Sequence, residues 1–151
     1  MNERELASTL TRKGIRCRTG LLLVGRHRLG YEPHIAAKLG MQPLDFTGFL
    51  ASSLPTSEKY VDITFSSIWN HLDLLANRPE GDDCLLVYNF DLPLAKLETK
   101  DRLLLWQNLK DNMPYRQRAL VLLMPAEAEH LLPSQEDMLE WERTQRLVRM
   151  P

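Results

Sequence analysis

A short, uniformly apolar run bounded by glycines constrains the fold of this chain more than any other stretch. The run Leu21–Val24 lies between Gly20 and Gly25. It shows no alternation of apolar and polar residues, which is typical of a strand that is buried on both faces of a parallel sheet. Further along, Pro33 suits the first turn of a helix and Gly40 suits a helix C-terminal cap. The segment therefore predicts a strand, a glycine-bounded loop and a helix.

Apolar runs recur along the chain and alternate with helical patterns. Further strands are predicted at Pro43–Phe46, Cys84–Asp91, Ala119–Met124 and Gln145–Met150. Strands that alternate with helices of about 10–15 residues indicate a parallel α/β sheet. At 151 residues the chain suffices for one domain but not for two. We predict a single α/β domain over residues 1–151, with a leading helix in 1–14 and a mainly parallel sheet of about five strands flanked by helices.

Helix starts are predicted from polar residues that precede apolar stripes. Ser66 or Ser67 is expected to cap the helix that ends near Asn77, while Asp101 and Ser134 are expected to cap the next two long helices. The segment 60–65 alternates apolar and polar residues, and we leave it open between a strand and a linker.

The overall charge excludes a uniformly basic surface, but the charges are unevenly distributed. The chain has 19 Lys and Arg against 20 Asp and Glu. Residues 1–40 contain eight Lys or Arg and three Asp or Glu, whereas 41–100 contain four and nine. Arg16 and Arg18 adjoin the glycine-bounded loop in sequence and extend this basic N-terminal region.

Cysteine usage and hydropathy point to a cytoplasmic protein. Cys17 and Cys84 each adjoin an apolar run without metal-ligand spacing, so we interpret both as reduced core residues. No run approaches the roughly 18 apolar residues of a membrane span, and the N-terminus is polar. We therefore expect no contact with a membrane.

The glycine-bounded loop has the spacing of a phosphate-binding loop but not its chemistry. Four residues separate Gly25 from Gly30, as in the motif G-x-x-x-x-G-K-[ST]. Tyr31 stands where the motif has its lysine, and Glu32 stands where it has the hydroxyl that binds Mg²⁺. A phenol cannot neutralise a triphosphate, and a carboxylate repels one unless a metal lies between them. We expect the backbone to bend like a nucleotide cradle without the side chains that hold a nucleotide.

With these motifs in order, residues 19–124 resemble a P-loop NTPase of the RecA/AAA-like division. More narrowly, they resemble the small P-loop component of BREX-type bacteriophage-defence systems. In that family, the strand after the long middle segment ends in D-N-x-E, which supplies the Mg²⁺ ligand and the glutamate that activates water. Tyr88-Asn89-Phe90-Asp91 stands in that place here. The resemblance therefore implies a degenerate site, since Asn89 matches, Asp91 is a shortened substitute and Tyr88 cannot ligate the metal.

The resemblance implies a non-catalytic adaptor or regulatory subunit of a phage-defence complex. No catalytic residue, metal site or bound cofactor is expected. The degenerate site comprises a nucleotide or anion loop and a second motif: Gly25, Arg26, His27, Arg28, Gly30, Tyr31 and Glu32, with Tyr88, Asn89 and Asp91. The expected partners are other proteins of the complex, with DNA and further copies of the chain as additional candidates.

Three alternatives stay open from the sequence. The chain could be an NTPase that binds ATP and Mg²⁺, with Arg26 or Arg28 replacing the lysine and with Glu32 and Asp91 holding the metal. It could bind DNA through its N-terminal basic region. The glycine pair could also be an ordinary strand-to-helix turn of a flavodoxin-like or other α/β domain.

Overall fold

The computed structural model describes residues 2–54, 62–78, 81–113 and 117–151. Within them, the strands are β1 (Thr19–Val24), β2 (Gln42–Asp45), β3 (Cys84–Tyr88), β4 (Ala119–Pro125) and β5 (Leu147–Met150). The α-helices there are α1 (Leu6–Thr11), α2 (Glu32–Leu39), α3 (Phe46–Ser52), α4 (Phe65–Ala76), α5 (Asp91–Leu94), α6 (Thr99–Asp111) and α7 (Gln135–Arg143). Short 3-10 turns lie at Glu3–Glu5, Arg26–Arg28 and Glu129–Leu131.

The five described strands form one parallel sheet in the order β2-β3-β4-β1-β5. This confirms the predicted single α/β domain with a five-stranded sheet. All six residues of β1 are buried, because β4 and β5 pair with its two edges and helices cover its two faces. The uniform apolar run is thus explained by burial on every side.

Two apolar clusters divide the core into a layer on each face of the sheet. One cluster joins Leu22 and Val24 of β1 to α1 and α2. The other joins Leu21 and Leu23 to α3, α4, α6 and α7. The helix that follows β1 therefore lies on one face, and the helix that follows β4 lies on the opposite face.

Two glycines are required by the packing around β1 and α2. A Cβ atom at Gly20 would lie 2.7 Å from Cδ1 of Leu10, so its absence lets α1 pack directly on the strand. Gly40 has φ +70° and donates its backbone N–H to the carbonyl of Ala36, which ends α2 as the sequence predicts.

The predicted ends of several elements need correction. Thr64, rather than Ser66 or Ser67, caps α4, and Ser67 completes a reciprocal capping box with it. Glu98, rather than Asp101, occupies the N-cap position of α6, without a side-chain capping bond. Ser134 caps α7 as predicted, since its hydroxyl accepts a hydrogen bond from the backbone of Asp137.

One predicted strand ends earlier than expected, and the segment left open between a strand and a linker forms no strand within its described residues. Strand β3 ends at Tyr88 instead of Asp91, because Asn89 has a left-handed φ of 57° and Asp91 begins a short helix. In the ambiguous segment 60–65, residues 60 and 61 lie outside the described residues. Residues 62–64 form no strand, and Phe65 begins α4.

The two cysteines have different environments, and both are free thiols. Cys84 is buried at the start of β3, and desolvation raises its pKa to about 12, so this thiol stays protonated and unreactive at neutral pH. Cys17 is only partly buried and donates from Sγ to the carbonyl of Asp111 at 3.5 Å. The core interpretation thus fits Cys84 better than Cys17. Among the described residues, no helix is both long and apolar enough to cross a bilayer.

Adjacent leucines of α6 provide a matched test of the core. Leu105 is fully buried, whereas Leu104 is 44% exposed. We expect Leu105→Ala to lower the free energy of unfolding by about 2–5 kcal/mol, because it leaves a cavity under the sheet. The same change at Leu104 is expected to cost less than about 0.5 kcal/mol beyond its small propensity effect. Urea denaturation measures both, and equal losses would contradict the observed orientation of α6.

Candidate functional site

An open cleft of about 440 Å³ lies at the carboxyl edge of the sheet. The connections that leave β1 and β4 run to opposite faces there, which is where open α/β sheets form ligand crevices. The cleft is lined by Leu29, Gly30, Glu32, Pro33, Tyr88, Asn89, Asp91, Leu123 and Pro125. The structure therefore brings Gly30 and Glu32 of the predicted loop together with Tyr88, Asn89 and Asp91 of the second motif. The loop residues Gly25, Arg26, His27, Arg28 and Tyr31 are not part of this lining.

The backbone of the loop is hydrogen-bonded to itself. After Gly25 the chain forms a 3-10 turn over Arg26–Arg28. The N–H of Arg28 donates to the carbonyl of Gly25 at 3.0 Å, that of Leu29 to Arg26 at 3.2 Å, and that of Tyr31 to Arg28 at 3.2 Å. In a phosphate cradle, backbone N–H groups point at the ligand instead. The segment forms a turn in which these three amides are bonded to carbonyls of the loop and are not available to an anion.

The basic side chains of the loop do not line the cleft. Arg28 donates from Nε to the carbonyl of Pro151 at 3.0 Å, so β5 and its extension hold it at the outer side of the loop. Arg26 and His27 are exposed, and Tyr31 is 63% exposed. None of these side chains is among the residues that line the cleft.

The basic residues of the N-terminal region do not form one patch. Arg16 and Arg18 precede β1, whereas Arg26 and Arg28 follow it. A strand of six residues rises about 3.3 Å per residue, so the two pairs lie about 20 Å apart at opposite edges of the sheet. Proximity in sequence therefore did not predict their separation in the fold.

Glu32 places a carboxylate at the start of α2 and in the wall of the cleft. It is only 7% exposed, yet its side chain forms no hydrogen bond or ion pair within the described part of the chain. Pro33 follows it and has no N–H, which removes one donor from the first turn. The positive end of the helix dipole, where an anion would bind, is thus occupied by a carboxylate of the chain itself.

Asn89 and Asp45 form a polar link between the ends of β3 and β2. Nδ2 of Asn89 donates to Oδ1 of Asp45 at 3.0 Å, and Asp45 pairs in register with Tyr88. Asp45 also caps α3 by accepting from Thr47 Oγ1 and from the backbone of Gly48. Burial raises the pKa of Asp45, but these hydrogen bonds outweigh it and hold the pKa below its ordinary value.

Sequence reasoning missed Asp45 as a site residue. Asp45 lies one residue before the end of the predicted strand Pro43–Phe46, and an aspartate at the start of a helix is an N-cap pattern. Its contact with Asn89 could not be anticipated without the pairing of β2 with β3.

Tyr88 contributes a neutral phenol to the floor of the cleft. Burial raises its pKa, and the nearby carboxylates of Asp45 and Glu32 raise it further. The hydroxyl therefore stays protonated at neutral pH and can donate or accept a hydrogen bond.

Neither metal-ligand geometry nor comparison with other proteins assigns a function. Among the described residues, no group of three or more His, Cys, Asp or Glu side chains is arranged to hold a metal ion. Comparison of the chain with protein-family models, curated proteins and solved structures found no match. The cleft and the strand order are therefore the observations from which a function is inferred.

The depressed pKa of Asp45 gives a pH test of the polar link. A group whose pKa is lower in the folded than in the unfolded state stabilises the fold above the unfolded value, here 3.8, and loses this effect as the pH falls through the folded value. We expect Asp45→Asn to be less stable than the wild type at pH 7, and the difference to shrink below about pH 3.8. Urea unfolding at a series of pH values measures this, and a difference that grows in acid would contradict it.

Proposed function

We propose that this chain is a non-catalytic, P-loop-like module, a pseudo-NTPase that serves as an adaptor or regulatory subunit of a bacterial phage-defence complex. One observation carries the non-catalytic part. The cleft at the carboxyl edge is lined by Glu32 and Asp91 and, among the described residues, by no lysine or arginine. Phosphoryl transfer depends on positive charge that stabilises the transferred group, and this cleft offers the opposite.

The strand order supports kinship with P-loop proteins of the RecA/AAA-like division. Because β4 lies between β1 and β3, the loop after β1 faces the segment after β3 across one intervening strand. In those proteins the phosphate loop and the metal-binding acid are separated in the same way. The flavodoxin-like order 2-1-3-4-5 instead places the first strand between the second and the third. The order therefore disfavours the flavodoxin-like alternative.

The loop backbone supports loss of nucleotide binding independently of the side chains. The N–H groups of Arg28, Leu29 and Tyr31 are bonded within the loop, and Pro33 contributes none. A triphosphate would meet neither these three amides nor the lysine that a phosphate loop supplies. The assignment of the chain to a phage-defence complex is supported by the resemblance of residues 19–124 to the small P-loop component of BREX-type systems.

The two functional alternatives have less support. For an atypical NTPase, Glu32 and Asp91 do share the cleft, but Arg28 is bonded to the carbonyl of Pro151 and Arg26 is outside the lining. For DNA binding, the arginines that precede β1 lie at the far edge of the sheet from those that follow it, so a continuous basic surface is not formed by them.

Titration with ATP and Mg²⁺ tests the proposal. We expect no saturable heat by calorimetry and no phosphate release, because the cleft carries negative charge and bonded amides. Asp91→Ala is the diagnostic variant, and Asp101→Ala, on the exposed first turn of α6, is the matched control. Turnover that Asp91→Ala abolishes and Asp101→Ala leaves intact would overturn the proposal.

A further inference from the structure

We propose that the cleft is a receptor for a basic side chain of the partner protein, an arginine or lysine that inserts between Glu32 and Asp91. This inference rests on the proposed function, since it specifies the chemistry by which the adaptor would hold its partner at the degenerate site. The proposed function leaves the cleft without catalytic activity, whereas this inference assigns a binding role to it.

The unpaired carboxylate of Glu32 is the first observation behind this inference. Glu32 is only 7% exposed as a residue, but its carboxylate oxygens are not fully buried, so a group that enters the cleft can reach them. The N-terminus of α2 supplies an equivalent of about half a positive charge. Asp91 adds a second carboxylate to the same cleft, and its side chain, like that of Glu32, forms no hydrogen bond or ion pair with the described residues. The cleft therefore retains a net negative charge that the chain does not balance.

Other acidic groups of the molecule show how this one differs. Asp137 has the ammonium of Lys110 at 2.9 Å. Asp45 accepts hydrogen bonds from Asn89, Thr47 and the backbone of Gly48. Glu32 is as buried as these groups or more so, but the described residues leave it without such a partner.

The walls of the cleft suit an alkyl chain that ends in a cation better than a hydrated metal ion. Leu29, Leu123, Pro33 and Pro125 form apolar parts of the lining. Long basic side chains pack their methylene groups on such surfaces while the charged head meets carboxylates. The neutral phenol of Tyr88 offers a hydrogen-bond acceptor and a ring face to the same head. Magnesium prefers an octahedral set of oxygen ligands, and no cluster of three carboxylate or imidazole ligands lies among the described residues.

Arginine fits the geometry better than lysine. Two carboxylates on separate elements, α2 and α5, can each accept from a different edge of a planar guanidinium. An ammonium concentrates its charge at one point and is more strongly hydrated. We therefore infer a preference for arginine over lysine at this site.

The test uses blocked amino acids as stand-ins for the side chain of the partner. N-acetyl-argininamide is titrated into the ¹⁵N-labelled full chain, and amide shifts are followed by NMR. We expect saturable shifts at Glu32, Tyr88 and Asn89, and weaker binding of N-acetyl-lysinamide. The neutral isostere N-acetyl-citrullinamide is expected to produce no saturable shift. Equal shifts with the citrulline and arginine probes, or no saturation with arginine, would overturn the inference.

Paired variants locate the site. Glu32→Gln is expected to weaken arginine binding by at least about tenfold, because it removes the buried charge. Glu136→Gln, on the opposite face of the sheet in the first turn of α7, is expected to leave it unchanged. The dispersion of each NMR spectrum shows that the variant is folded. Unchanged binding by Glu32→Gln would overturn the inference.

Two further titrations separate the competing ligands. Saturation by MgCl₂ alone with displacement of the arginine probe would assign the cleft to a metal and overturn the inference. Tighter binding of free L-arginine than of its blocked form would assign it to a small molecule instead of a protein side chain. Absence of arginine binding together with absence of ATP turnover would refute only this inference, whereas ATP turnover that depends on Asp91 would refute the proposed function.

Discussion

The guanidinium of Arg146 connects the amino end of β1 to the last turn of α6. It donates to the carbonyl and hydroxyl of Thr19 and, at 2.8 Å, to the carbonyl of Lys110, while the Thr19 hydroxyl donates to Leu109. No carboxylate accepts from it among the described residues; instead, carbonyls at the negative end of the α6 dipole and the ring of Trp141, 4.8 Å away, stabilise the charge. Burial lowers the pKa of Arg146, yet a guanidinium stays charged in proteins. These hydrogen bonds therefore fix the position of Thr19 and the register of β1 at the end of the strand that is opposite the cleft.

A second arginine, Arg118, connects three strands at the same edge of the sheet. Arg118 donates to the carbonyl of Asp82 and to the side chain of Gln42, which connects the starts of β4, β3 and β2. With the amino edge held by buried guanidinium groups, the strands present their carboxyl ends as a fixed row. The loops attached to this row can then change their chemistry with little effect on the sheet. The chemistry of the cleft therefore depends on the loops at the carboxyl edge, whereas the position of the strands depends on contacts at the amino edge.

The sequence predicts the sheet better than the site, for a physical reason. The runs that became β1 and β4 are apolar on both faces, which only a central parallel strand satisfies, so their positions follow directly. The cap of α4 was predicted two or three residues late, because Thr64, Ser66 and Ser67 can all accept a capping bond and tertiary packing selects among them. That Glu32 and Asp91 line the same cleft follows from the parallel arrangement of the strands that precede them. The burial of Glu32 does not, since it depends on how α2 lies against the end of β3.

The backbone of the loop, as well as its side chains, disfavours phosphate binding. A Tyr31→Lys change would restore a positive charge beside the cleft, but the amides of Arg28, Leu29 and Tyr31 would still be bonded to carbonyls of the loop. Each such bond contributes about 1 kcal/mol net, so freeing three would cost about 3 kcal/mol, or roughly a hundredfold in affinity. The Glu32 carboxylate would meanwhile continue to repel the phosphate from the start of α2. The backbone and the Glu32 carboxylate therefore act in the same direction against phosphate binding, and a single substitution would not reverse it.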